Sequence, residues 1–515
     1  MLRLQNQLKQ LFFSFTLLTS AIVFSQEKPN VIYINADDLG YGDVGVYGAT
    51  RVYTPNIDKL AADGKKFTDA HSVSAVCTPS RYGLITGEYP VKANVNHAIF
   101  DRDSLIVPTS KFTLANVFKE QGYATACVGK WHLGFGETRP VNWNEALKPG
   151  PLELGFDYYF GVPVLNSHPP FVYVENHKVV GLEKNDPFVW GEEAATAPYP
   201  EKWNHGNQKI GGATKAHQIY VDSLVGTTLK DTAQAFIRKH KKKPFFLYLA
   251  TTNIHHPFTP AKRFLGKSDA GRYGDFIQEL DWIVGEILKT LEEENLTNNT
   301  MVVFTSDNGG MLNRGGQDAY VMDHHMNGEL LGFKFDAWEG GHRVPFIVKW
   351  PGKVEAGSVS NQLISNIDMV ATFAALFDRK LQQGEAVDSY NMLPAFVENP
   401  TKNIRPTLLI APNSIENLAV RKGEWVYISG QGGGGFEAKH LGKHAFGGPA
   451  ATTFTQQQNS DIAYGNIKEN APPAQLYNLK EDLSEKENLY EDLPKKVEEM
   501  QTELERLLQV KQTRP

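Results

Sequence analysis

Short apolar runs alternate with amphipathic stretches along most of the chain. Five runs read as strands: residues 30–34 (NVIYI), 124–128 (ATACV), 244–250 (PFFLYLA), 301–305 (MVVFT) and 344–349 (VPFIVK). Their β-branched and aromatic residues suit strands covered on both faces. Four segments carry helical signals. Residues 55–63 open on a proline, residues 113–121 and 274–294 space apolar positions at helical intervals, and residues 368–377 form a fourth. The alternation predicts a layered α/β domain. No repeat at solenoid or propeller period is present.

Near residue 400 the texture changes. Pro394, Pro400 and Pro406 punctuate the chain, and residues 408–410, 419–421 and 425–428 read as short strands. Residues 430–435 (GQGGGG) read as a flexible loop, and residues 436–470, glycine-rich and polar, predict no element. The stretch AQLYNLKEDLSEKENLY then leads into a polar-faced helix over 494–509. At 515 residues the chain exceeds one simple core. The expectation is a main domain over 26–400 and a smaller C-terminal α+β subdomain over 401–515.

Residues 1–25 read as an export signal. Arg3 and Lys9 precede the apolar stretch 11–24, and Val23 and Ser25 suit a cut before Gln26. That stretch is short for a membrane span, and no later run is long enough to cross a bilayer. An exported protein, periplasmic or secreted, is expected, with no membrane span. The formal net charge of −6 argues against non-specific binding to nucleic acid. A polyanionic substrate would need a local basic pocket. Export permits disulfides, yet the chain has only Cys77 and Cys127. The pair allows one bridge or two unrelated roles.

Chemistry collects after the strands. Asp37 and Asp38 follow the first, Lys130 and His132 (GKWH) the second, His255 and His256 (TTNIHHP) the third, and Asp307 and Asn308 (SDNGG) the fourth. Each alone reads as a turn or cap. Together they match the place where α/β sheets bind ligands, beyond the carboxyl ends of the strands. Asp37, Asp38, Asp307 and Asn308 offer only oxygen ligands, which suit a hard cation, Ca²⁺ or Mg²⁺, rather than structural zinc. Adjacent carboxylates repel unless a cation or proton neutralises them. Cys77 precedes Pro79 and Arg81 at a candidate helix start. Unpaired N–H groups there and the arginine fork suit a tetrahedral anion. A thiolate nucleophile would also need a nearby base.

The stretch CTPSRYGLITG resembles the type I sulfatase motif C-x-P-S-R-x-x-x-L-T-G, with Ile85 at the position of the motif's leucine. The resemblance runs from KPNVIYINADDLGYGDVGVYG to QLYNLKEDLSEKENLY. It implies an alkaline phosphatase-like fold: a large mixed, mostly parallel central sheet flanked by helices, with a short antiparallel sheet in the C-terminal subdomain. It also implies that Cys77 becomes 3-oxoalanine (formylglycine), made by a formylglycine-generating or anaerobic sulfatase-maturating enzyme. The implied catalytic set is Cys77, Arg81, Lys130, His132, His255 (from IHHPF) and Lys334 (from GFKFDAWEGGHRVP). The implied metal set is Asp37, Asp38, position 77, Asp307 and Asn308, with Ca²⁺ the family's usual ion and Mg²⁺ the alternative. Cys127 would then be an unpaired buried thiol.

The family and the export signal favour a sulfated carbohydrate, marine algal ulvan or carrageenan oligosaccharides first and glycosaminoglycans or aryl sulfates next. A phosphomonoester or phosphonate hydrolase of the same superfamily and a non-catalytic sulfated-glycan binder are the rival readings. Residues that could line a sugar subsite are His97, Asn166, His168, Lys262, Arg263, Arg314 and Trp338.

Overall fold

The computed structural model describes residues 28–192, 209–436 and 447–515. The export-signal reading of residues 1–25 lies outside them. In chain order the main sheet contains β1 (Asn30–Ala36), β2 (Lys65–Phe67), β3 (Ala124–Gly129), β4 (Tyr158–Gly161), β5 (Val174–Glu175), β6 (Lys178–Val179), β7 (Phe245–Ala250), β8 (Thr300–Ser306), β9 (Phe346–Lys349) and β10 (Ser358–Ser360). Their spatial order is β10-β2-β9-β8-β1-β7-β3-β4-β5-β6. The central run from β8 to β4 is parallel throughout. Antiparallel pairs enter only towards the edges, at β9 and β5.

Side chains alternate across the sheet, so each strand serves two cores. Val31 and Tyr33 of β1, Phe246 and Tyr248 of β7, and Met301 and Val303 of β8 face one. Helices α2 (Cys77–Thr86), α3 (Leu114–Lys119) and α6 (Met369–Leu376) cover it. Ile32, Ile34, Leu247, Leu249, Val302 and Phe304 face the other, beneath α1 (Pro55–Ala62), α4 (Val225–His240) and α5 (Gly271–Glu293). Helix α4 has no counterpart among the elements expected from sequence, although Val225, Leu229, Ala233, Phe236 and Ile237 carry its helical period.

The second sheet is antiparallel: β11 (Thr407–Ile410), β12 (Ala419–Lys422), β13 (Trp425–Ile428) and β14 (Gln475–Asn478), in that order. Helix α7 (Pro494–Gln509) packs on it through Val497, Met500, Leu504 and Leu507. The same core takes in Val73, Tyr89, Leu331 and Trp338 from the first part of the chain. Ala75 N donates to Ala411 O (3.0 Å), and Ser74 Oγ donates to the same carbonyl (2.6 Å). The second sheet therefore clamps the segment that leads into α2. Between 436 and 470 the described residues form a helix, Gly448–Thr455, and a small hairpin of Ile462–Ala463 with Asn466–Ile467.

Candidate active site

Parallel strands bring their carboxyl ends to one edge, and the backbone locks them there. Asp37 N donates to Asn253 O (2.9 Å), Lys130 N to Ala250 O (2.8 Å) and Asp307 N to Ala36 O (3.1 Å). Asp38 takes a positive φ of 62°, a conformation that aspartate tolerates better than most residues. Carboxylate oxygens of Asp37, Asp38 and Asp307 lie within 4.8 Å of one another, all buried.

Each carboxylate meets a cation. Lys130 Nζ donates to both oxygens of Asp37 (2.8 and 2.8 Å), Lys334 Nζ to Asp38 Oδ1 (2.5 Å), and Arg81 Nε to Asp307 Oδ2 (2.9 Å). Burial and the neighbouring carboxylates raise Asp37 to about 7, against the pull of Lys130. Burial also pushes Asp307 up, but Arg81, Lys130 and Lys334 outweigh it and hold the group below the usual range. Asp38 Oδ2 and Asn308 Oδ1 are buried with no hydrogen-bond partner. Orphaned buried oxygens beside three carboxylates fit a hard divalent cation.

A second cluster, His71, Glu339 and His342, fits a cation poorly. Arg343 Nη1 lies 2.7 Å from Glu339 Oε2, and Arg421 Nη1 lies 3.9 Å from Oε1. The cluster's imidazole nitrogens are already engaged, His71 Nδ1 with His342 Nδ1 (3.0 Å), His71 Nε2 with Asp69 Oδ1 (2.8 Å) and His342 Nε2 with Ala337 O (3.0 Å), and the cluster ties β12 to the main sheet.

Cys77 opens α2 after an extended Val76. Burial pushes its thiol up, opposed by Lys130 and Lys334. An unmodified Cys77 is therefore a protonated, weak nucleophile at neutral pH. Cys77 and Cys127 are both free and buried.

The histidines present defined nitrogens. A carbonyl can only accept, so His132 Nε2 donates to Ile99 O (2.7 Å) and leaves Nδ1 buried and unpartnered. Thr78 Oγ1 of α2 donates to His132 O (3.1 Å) and fixes the loop. By the same logic His255 Nδ1 donates to His256 O (2.6 Å), and its Nε2 lies 3.8 Å from Asp38 Oδ2. Burial comes first, then nearby cations, in pushing His132 well below the usual imidazole range. For His255, burial, His256 and both lysines do the same. Both rings are therefore neutral in this arrangement.

The sulfatase family profile matches residues 29–379. The chain belongs to the sulfatase family. An N-acetylgalactosamine-6-O-sulfatase of Bacteroides thetaiotaomicron is 37% identical over 504 residues, covering 93% of each chain. A solved Bacteroides thetaiotaomicron sulfatase, from work on the metabolism of multiple glycosaminoglycans, superposes with a TM-score of 0.82 at 36% identity, over 94% of this chain and 100% of that one. Ps i-CgsB, solved in complex with k-i-k-neocarrahexaose, gives a TM-score of 0.68 at 26% identity, over 94% of this chain and 93% of that one.

The sulfatase scatters the residues expected to line a sugar subsite. Asn166 is buried and donates from Nδ2 to His255 O (2.9 Å), so it positions that histidine. His168 is buried beside Phe100, with Nδ1 2.9 Å from Ser167 Oγ. His97 is exposed two residues before the Ile99 carbonyl that anchors His132. Lys262 and Arg263 are exposed, and Arg263 lies over Trp282 (4.0 Å) and donates to Thr227 Oγ1 (2.9 Å), on the outer surface of α4 and α5. Arg314 is exposed and lines a cavity beside His256.

Trp338 is a core residue instead, 1% exposed, with Nε1 donating to Gln475 Oε1 (2.9 Å) on β14. Its apolar ring closes the core shared by the two sheets. Trp338→Ala should cost about 3–5 kcal/mol, read by denaturant unfolding, with KM unchanged in the folded fraction. A large KM effect without loss of stability would return Trp338 to the substrate.

Asp336 was not visible as a site residue. It accepts from Phe333 N through Oδ2 (2.9 Å) and so holds the turn that carries Lys334. The glycine run read as flexible wraps this carboxylate. A Cβ at Gly433 or Gly435 would sit 2.4 or 2.3 Å from Asp336 Oδ1, and Ala337 N donates to Gly433 O (2.6 Å). Glycine serves close approach here.

Proposed function

We propose that this sulfatase removes a 6-O-sulfate from a galactose-type amino sugar in a sulfated carbohydrate. The observation that carries the chemistry is the set of three cations, Arg81, Lys130 and Lys334, each paired with one buried carboxylate around the start of α2. The sugar rests on the relative that aligns over 93% of the chain at 37% identity and is named an N-acetylgalactosamine-6-O-sulfatase.

Formylglycine at position 77, installed by a maturating enzyme, would supply as its hydrate the hydroxyl nucleophile that a buried thiol does not. Ca²⁺, or Mg²⁺ in its place, held by Asp37, Asp38, Asp307 and Asn308, would offset negative charge on the sulfate as it is attacked. Arg81, Lys130 and Lys334 bind the sulfate oxygens and stabilise the charge that builds there. His255 gains a proton on Nε2 when the substrate anion enters, because a nearby negative charge favours the imidazolium. It passes that proton to the leaving sugar oxygen. His132, anchored through Nε2, accepts a proton on Nδ1 from the group at position 77 as sulfate departs.

The reading includes export, with residues 1–25 as the signal. No helix among the described residues is long and apolar enough to cross a membrane. A second reading, a carrageenan-type algal oligosaccharide, is favoured by the neocarrahexaose complex of Ps i-CgsB.

The test is a screen of the matured enzyme on defined oligosaccharides carrying galactosamine 6-sulfate or 4-sulfate, on carrageenan and ulvan oligosaccharides, and on aryl sulfate and aryl phosphate. Release confined to carrageenan or ulvan, or to phosphate, would overturn the 6-O-sulfate assignment. His255→Ala should lower kcat on the sugar sulfate by about 10²–10⁴-fold. The loss on nitrophenyl sulfate, whose leaving group needs no proton, should be far smaller. Equal losses would remove His255 from the acid role.

A further inference from the structure

We infer that Asn327 is a positioning residue of the sulfatase site: it fixes the turn after Asn308 to the turn before Lys334, so that cation and sulfate are gripped by one rigid unit. The inference rests on the cation and sulfate roles proposed above and names the brace that sets their spacing.

Asn327 is 2% exposed and lies in no helix or strand. Its side chain serves two turns at once. Oδ1 accepts from Gly310 N (2.9 Å), and Nδ2 donates to Gly332 O (3.0 Å) and, more weakly, to Gly310 O (3.4 Å). An amide suits this arrangement, because Gly310 N can only donate and both carbonyls can only accept. Gly310 stands two residues after Asn308, and Gly332 two before Lys334. Lys334 N also donates to Gly310 O (2.9 Å). The two turns thus form one hydrogen-bonded block with Asn327 at its centre.

The same segment presses on the first carboxylate pair. Gly42 N donates to Met326 O (2.7 Å). A Cβ at Gly40 would stand 2.1 Å from Met326 O and 2.5 Å from Asn327 Oδ1. Asp43 closes the contact: its Oδ2 accepts from Gly40 N (2.7 Å), and its Oδ1 lies 2.7 Å from His324 Nε2. Residues 324–327 therefore touch all three segments that carry Asp38, Asn308 and Lys334. Contacts this close leave no slack, so a shift of the segment moves the ligands. The site needs such a brace. Three buried carboxylates repel one another, and the orphaned oxygens of Asp38 and Asn308 must be held towards one point.

The experiment uses the matured full-length enzyme and reads two constants. One is the Ca²⁺ concentration that gives half the rise in Tm. The other is the inhibition constant of inorganic sulfate against nitrophenyl sulfate turnover. Asn327→Ala should raise both by about tenfold and lower kcat/KM by about 10²-fold. Gly310→Ala disturbs the same contact from the other side, since its Cβ would meet Asn327 Oδ1 at 3.1 Å and Met326 Cγ at 2.9 Å. It should move both constants in the same direction, and it decides the matter where Asn327→Ala does not fold. Val284→Ala, in the buried face of α5 and part of neither turn, is the stability control. It should lower Tm and leave both constants within about twofold of wild type.

Constants in Asn327→Ala as unmoved as those in Val284→Ala overturn the inference. Where the wild type responds to Ca²⁺, a shift in only one constant also overturns it, because one residue is held to set both. A wild type whose Tm ignores Ca²⁺ would instead refute the cation assignment, and the sulfate constant then decides the brace on its own.

Discussion

Cys77→Ala should abolish sulfate release, by at least ~10⁴-fold, while the protein still folds. Position 77 is the first residue of a buried helix, 2% exposed, and alanine is compatible with that backbone. Loss of the atom beyond Cβ costs about 1 kcal/mol of packing, about one degree in Tm for a chain of this length. The large effect is chemical. Burial holds the native thiol protonated, so neither cysteine nor alanine supplies a competent nucleophile. Mass spectrometry of the peptide 67–81 from active wild-type enzyme should therefore show the aldehyde or its hydrate. Active enzyme with an intact thiol at Cys77 would sink the formylglycine mechanism.

Asp307→Asn should be the most damaging single change to the metal end. Arg81 is 1% exposed and relies on Asp307 Oδ2 at 2.7 Å. An uncharged partner leaves the buried guanidinium only Asp37, 3.8 Å away and already paired with Lys130, a loss of about 3 kcal/mol. It also removes one of the three grouped carboxylates. Wild-type Tm should rise with added Ca²⁺ and fall with chelator, since an ion that binds only the folded state stabilises it by mass action. In Asp307→Asn that rise should vanish and kcat/KM should drop by about 10²–10⁴-fold. The pH dependence follows from the depressed folded-state value of Asp307. Its stabilising charge is fully present above the unfolded value of about 3.9 and is lost as pH falls through the folded one. The stability gap between wild type and variant should narrow only in acid. A Ca²⁺ response retained by the variant would exclude Asp307 from the cation site.

Much of the architecture could be read from local pattern. The five apolar runs became β1, β3, β7, β8 and β9, shifted by no more than two residues at either end. They were legible because strands buried on both faces need uninterrupted apolar residues. Helix α7 coincides with the expected 494–509, since its polar face and apolar stripe are both local signals. Strand β14 was not recognised within AQLYN, because four residues become a strand only when β13 stands beside them.

The chemistry divides along the same line. A residue that follows a strand in sequence also follows it in space, so Asp37, Lys130 and Asp307 could be assigned to one edge of a parallel sheet. The Cys77–Arg81 spacing is likewise local, one turn of one helix. Partnership is not local. Lys334 meets Asp38 across 296 residues and Arg81 meets Asp307 across 226, and no spacing rule encodes such pairs. By itself, then, the sequence determined the layered α/β class, the chemical inventory at the strand ends and the start of the anion-binding helix. Tertiary structure alone decided which cation neutralises which carboxylate. It also put Trp338 in a core between two sheets, wrapped a glycine run around Asp336 and set Asn327 between the turns of Asn308 and Lys334. The physical reason is that burial and charge pairing depend on distance in space, whereas period and propensity depend only on distance along the chain.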